Sequence, residues 1–159
     1  MGRRISRKGL AMDFEWIARV SSRERDKAHV FVRKHSFPVG SPLSFDQEYD
    51  SVTALEYVLG AIGADLVNGI KKLAKTHRLL IEDVEALVQV SLNNSLTYLG
   101  VIGETGNPGI KCINIKFYVN SNESRKRIEN LWKETLSKSP LFSTLKSLVE
   151  FDLKLTRQA

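Results

Sequence analysis

The sequence predicts an α+β fold: antiparallel sheets around a long, buried central helix. Three observations carry that expectation. Several short segments alternate apolar and polar residues with period two, as strands with one wet face do. The stretch from Ala54 to Ile70 is apolar nearly all round, with only Glu56, Asp65 and Asn68 strongly polar, and such a helix is buried on most sides. The 159 residues are about one domain's worth of chain, 42% hydrophobic and 26% charged. That balance excludes a mainly disordered chain, a collagen-like fibre and a membrane protein.

The chain opens on Arg3, Arg4, Arg7 and Lys8, with no acid among its first eight residues. These four account for most of the net charge of +6, and the remaining 20 basic and 18 acidic residues nearly cancel. Residues 1–11 therefore read as a basic, flexible arm and 12–159 as a single domain. A nucleic-acid binder carries its positive charge on a folded face, so the arm reads as a solvated tail, with phosphate contact as the alternative. No apolar run follows it, so no secretory signal is expected.

Phe14, Trp16, Ala18 and Val20 alternate with Glu15, Ile17 and Arg19, which predicts a first strand. Ala28, Val30 and Val32 alternate with His29, Phe31 and Arg33 and predict a second. The polar run from Ser21 to Asp26 is the loop of the resulting antiparallel hairpin. Residues 36–50 hold Pro38, Gly40 and Pro42 and are irregular, with room for one short strand. The central helix fills 51–76. Gly60, Gly63 and Gly69 each cost it about 1 kcal/mol relative to alanine, which a close approach of another backbone offsets. Lys71, Lys72, Lys75 and His77 gather at its C-terminal end, where they favour the dipole. It is too interrupted to cross a bilayer, which takes about 20 apolar residues.

Val84, Ala86, Val88, Val90 and Leu92 mark a third clear strand. Gly103 to Gly109 is a turn, and Ile113, Ile115, Phe117 and Val119 mark a fourth strand. Asn120 with Glu123 resembles a capping box, opening a helix that runs to about Lys138. Its apolar stripe is Ile128, Leu131, Trp132 and Leu136. Its outer face offers Glu123–Arg127, Glu129–Lys133 and Glu134–Lys138 at i,i+4. Pro140 breaks the chain, a short helix covers 141–148, and Val149, Phe151, Leu153 and Leu155 close the fold as a strand. One sheet cannot cover the apolar central helix, so a second copy is expected to: the chain reads as a homodimer.

Few residues suggest chemistry on their own. Cys112 is the sole cysteine, which excludes an intrachain disulfide, a CxxC redox pair and a multi-cysteine zinc site. It suits a reducing cytoplasm. His29, His35 and His77 have no carboxylate at ligand spacing, so they read as surface histidines and no metal is expected. The glycine-rich 103–109 lacks the Gly-Lys-Ser/Thr ending of a phosphate loop and lies between strands, and no cofactor is expected.

Two local stretches carry more. One is Thr53-Ala54-Leu55-Glu56-Tyr57-Val58-Leu59-Gly60-Ala61-Ile62-Gly63-Ala64-Asp65; the other is Ser139-Pro140-Leu141. With the element order, they resemble the osmotically inducible protein C (OsmC) and organic hydroperoxide resistance (Ohr) superfamily over about residues 12–157. That family's central helix opens close to Ser/Asn-Pro-Glu-x-Leu and ends in small residues before a reactive cysteine. Its second cysteine sits in a Cys-Pro-apolar turn. The resemblance implies an OsmC-like fold, an intertwined homodimer with pockets between subunits, and thiol-dependent reduction of hydroperoxides in oxidative stress. Here Asp65 and Ser139 fall where the cysteines would stand, Ala54 replaces the proline, and Leu55 takes the glutamate's place with Glu56 beside it. A thiolate must attack the peroxide oxygen, and the sulfenic acid must condense with a second thiol. Neither a carboxylate nor a hydroxyl can do this. The expectation is a relative without thiol peroxidase activity that binds a small apolar or amphipathic molecule between subunits. Asp65, Glu56, Arg19 and Ser139 are the candidate pocket residues, and Asp65 either meets a polar or cationic ligand or pairs with Arg19. The alternatives are a hydroperoxide reductase using Cys112 or another route, and nucleic-acid binding by the arm. Cys112 itself reads as a small filler residue.

Overall fold

A computed structural model of the chain describes residues 15–24, 27–42 and 51–158. The basic arm and the start of the first predicted strand at Phe14 lie outside the described residues. The chain divides into two compact units, the first holding the N-terminal strands and the second everything from Thr53 onward.

In the first unit, β1 (Ala18–Glu24), β2 (Lys27–Val32) and β3 (His35–Gly40) form an antiparallel sheet in the order β1-β2-β3. The predicted hairpin is there, but β1 starts later than its alternation suggests and runs into the polar segment read as a loop, as far as Glu24. Backbone pairing with β2, through a register shift between Ser21 and Glu24, needs no apolar side chains. Trp16 and Ile17, part of the predicted strand, precede it and are 80% and 81% exposed. The turn from β2 to β3 places Arg33 at φ 54°. β3 is the short strand for which residues 36–50 left room, and Pro38 is tolerated because β3 is an edge strand. His29 pairs with Pro38 and His35 with Val32, so the two histidines lie on different strands.

The second unit runs α1 (Ala54–His77), β4 (Asp83–Leu92), α2 (Ser95–Tyr98), β5 (Ile110–Asn120), α3 (Arg125–Lys138), α4 (Pro140–Leu145) and β6 (Glu150–Gln158). Its sheet has the order β4-β5-β6. β4 and β5 are antiparallel, as expected, whereas β6 lies parallel to β5. A parallel neighbour needs a long crossover, and α3 with α4 supplies it. The inner face of β5 contributes Ile113, Ile115, Phe117 and Val119, all 1% exposed or less. Ile62, Leu66 and Ile70 of α1 and Ile128, Leu131 and Trp132 of α3 complete the core, with the Trp132 ring 4.5 Å from that of Phe117. Two glycines of α1 stand where space is short. A Cβ on Gly63 would come within 3.1 Å of Val88 Cγ2, and one on Gly69 within 3.2 Å of Thr135 Cγ2.

The start of α3 differs from the reading. Asn120 is still strand, and Ser124 is the N-cap, its side chain accepting from Arg127 N–H. Glu123 instead bonds Arg127 at 2.6 Å and accepts from Leu80 N–H at 3.2 Å. Of the other expected pairs Glu134–Lys138 forms at 2.6 Å, but Glu129 is taken by Arg125 at 2.8 Å. Among the described residues no helix is long and apolar enough to cross a membrane.

Candidate functional site

Asp65 lies on α1, half-buried, and Ser139 at the junction of α3 and α4, 5% exposed. The Ser139 hydroxyl donates to Asp65 Oδ2 at 2.5 Å. Ser139 Oγ also accepts from Phe142 N–H at 3.0 Å, because Ser139 is the N-cap of α4 and Pro140 its first residue. The Ser139 N–H closes α3 on Leu136 O. One buried residue thus ends one helix with its backbone N–H, and with its side chain starts the next and ties it to α1.

A groove of about 410 Å3 opens beside this pair, between α1 and α3. Asp65, Asn68, Gly69, Lys72 and Thr76 line one side, Thr135 and Lys138 the other, with Leu73 also at its wall. The α1 residues recur at i, i+3, i+4, i+7 and i+11 from Asp65, which is one helix face. That spacing was the sequence signal for Asn68 and Lys72; Thr135 had none. Lys138 is not free, since Glu134 holds it and also meets His77 Nε2 at 2.7 Å. Lys138 first, then His77, keeps the Glu134 carboxyl below the usual carboxylate range.

Of the other predicted pocket residues, Glu56 shares α1 with Asp65 and Arg19 belongs to the other unit. Glu56 stands exposed in the first turn of α1: its carboxylate accepts Thr53 N–H and Thr53 Oγ1–H, both at 2.7 Å, while Thr53 Oγ1 accepts Glu56 N–H at 3.4 Å. This capping box lowers the Glu56 pKa, chiefly through the Thr53 backbone bond and then its hydroxyl. Nine residues separate Glu56 from Asp65, which puts it about 13 Å up the axis on the far side of the helix. The structure does not bring the two carboxylates together. The Thr-x-x-Glu spacing in the sequence was the signal for this role. Arg19 belongs to the first unit, where its guanidinium sits 4.4 Å from the centre of the Phe31 ring.

Cys112 points away from α1. Its β5 neighbours Ile113 and Ile115 face the core, whereas Cys112, Asn114 and Lys116 take the other face of the sheet. Its Sγ is 3.9 Å from Asn114 Oδ1. Among the described residues no group of histidine, cysteine and carboxylate side chains could hold a metal ion.

Part of α1 stays uncovered within its own unit: Ala54, Val58, Ala61 and Ala64 are exposed, Val58 at 41%. A long, largely apolar helix on a mixed sheet, preceded by an antiparallel meander, defines an α+β protein of the OsmC-like fold. The family of OsmC-like proteins matches residues 47–154, and the chain belongs to that family. No curated protein matches it. Among solved structures it is similar to an OsmC-like protein from Mycoplasma pneumoniae (TM-score 0.77, 14% identity, covering 93% of this chain and 100% of that one). An organic hydroperoxide resistance protein OsmC from Legionella pneumophila gives a TM-score of 0.65 at 16% identity, with 94% and 99% coverage. The organic hydroperoxide resistance protein OhrB of Bacillus subtilis gives 0.59 at 17% identity, with 88% and 98% coverage.

Proposed function

We propose that this chain is an OsmC-family protein in which a hydrogen bond has replaced the family's thiol couple. It does not turn over hydroperoxides by thiol chemistry, and it binds a small apolar or amphipathic molecule between the subunits of a homodimer. The observation that carries the reading is the 2.5 Å contact of Asp65 with Ser139. These are the residues that the family resemblance aligns with the two cysteines, and side chains that must exchange a bond have to be neighbours. The adjoining groove supplies room for a ligand, and the uncovered Ala54, Val58, Ala61 and Ala64 face supports a second copy. The single cysteine suits a reducing, cytoplasmic location. Cys112 is a poor substitute nucleophile here, because the sheet stands between it and Asp65 and the chain offers it no resolving thiol.

The test restores sulfur. Asp65→Cys with Ser139→Cys, in a Cys112→Ser background, should form an intrachain disulfide on exposure to cumene hydroperoxide, seen as a mass loss of about two hydrogens. Wild type with dithiol should consume the peroxide no faster than Cys112→Ser. A double variant that stays reduced refutes the alignment of Asp65 and Ser139 with the couple. Turnover by wild type that Cys112→Ser abolishes refutes the non-peroxidatic reading.

A further inference from the structure

The sheet of the first unit gives its two faces different chemistry. Val20 on β1, Val30 on β2 and Phe37 on β3 stand side by side on one face. Lys27, His29 and Phe31 of β2 take the other, with Arg19 beside Phe31 on β1 and Ser36 beside it on β3. Phe31 is thus the one large apolar side chain on the polar face among the described residues. It is half-buried, and the exposed Arg19 lies over it, 4.4 Å from guanidinium to ring centre, with the His29 ring 6.5 Å away. Among the described residues neither Arg19 nor Lys27 has an ion-pair partner. The net charge has the same address. Ten basic and four acidic residues fall within 1–41, and the other 14 basic and 14 acidic residues cancel, so the whole +6 belongs to the segment that holds this sheet.

We infer that this face of the β1-β2-β3 sheet binds single-stranded nucleic acid, an unpaired base stacking on Arg19 and Phe31 while Lys27 meets a neighbouring phosphate. Aromatic rings and guanidinium planes are the surfaces on which unstacked bases rest. Such stacking tolerates any base, because each has a π-face, and it works alongside cations that track the backbone. The cations used here sit on folded strands, where a nucleic-acid footprint belongs. A duplex keeps its base faces covered and an anionic membrane has none, so each gains only the charge term. None of these residues lines the groove beside Asp65, so the inference stands or falls apart from the function proposed above.

The test uses the full chain and fluorescein-labelled oligothymidylate and oligouridylate, each about 15 nucleotides long, a span within the range that sheet platforms occupy. Both should raise fluorescence anisotropy saturably at low salt. Phe31→Leu keeps apolar bulk but removes the ring; it should weaken single-strand binding about tenfold and leave binding of a duplex of the same length unchanged. Arg19→Gln, a surface change, should weaken the single strand at least as much and carries the test if Phe31→Leu loses the wild-type circular dichroism. Lys27→Gln should lower the slope of log affinity against log salt by about 0.7, the value of one single-strand phosphate. With Arg3, Arg4, Arg7 and Lys8 all changed to glutamine, the loss caused by Arg19→Gln should persist. Absence of saturable single-strand binding overturns the inference, as does binding to phosphatidylglycerol vesicles with none to either oligonucleotide. Single-strand binding that Arg19→Gln leaves intact and the four arm substitutions abolish overturns it too, by giving the contact to the arm.

Discussion

Ser139 uses one oxygen twice, donating to Asp65 and capping α4 through Phe142 N–H. Removing it leaves a half-buried carboxylate short of a donor and a helix short of its cap. Ser139→Ala should lower unfolding free energy by about 1–3 kcal/mol in urea titrations, whereas Asp65→Asn, which keeps an acceptor oxygen, should cost less. Glu56 gives a pH signature. Its folded pKa is depressed, so the stability it lends is fully present above the ordinary glutamate value of about 4.3. That stability is lost as the pH falls through the lower folded value. Glu56→Gln should therefore be less stable than wild type at pH 7, and the gap in melting temperature should shrink toward pH 3. At this scale the sequence was half legible. Asp65 and Ser139 could be singled out because polar residues stood where a relative keeps sulfur. Glu56 could not be placed with them, because helix phase, not nearness in sequence, decides which side chains share a wall.

At the scale of elements, α1 shows what its glycines do. Gly63 and Gly69 face Val88 and Thr135 at distances that leave a methyl group crowded, while a Cβ on Gly60 would meet nothing. Gly60→Ala should raise stability by up to about 1 kcal/mol in thermal melts, and Gly63→Ala should gain less or lose, since Val88 must shift. Strand and helix identities were legible wherever periodicity ran long, as in α1, β4, β5 and α3. The misreadings have physical causes. β1 slid because pairing, not alternation, decides an edge. α2, four residues long, has no periodicity to read. The direction of β6 depended on the crossover made by α3 and α4, which no local pattern encodes.

For the whole molecule, the proposed homodimer makes the exposed Val58 face of α1 a contact between copies. Light scattering should report twice the chain's 17.9 kDa, and Val58→Asp should shift the protein toward monomer with little loss of helix content by circular dichroism. A fully monomeric wild type would remove that arrangement.

The pairing of β6 with β5 also bears on how the second unit is made. β4 meets β5 antiparallel, but Phe151 can align with Ile113 only after the intervening helices have turned the chain around. Contacts of long sequence separation bear their closure entropy before any reward. The outermost strand should accordingly join last on the way to the native state. Substitutions such as Leu153→Ala should accelerate unfolding and leave the refolding rate nearly untouched, whereas Ile115→Val should slow refolding in stopped-flow measurements.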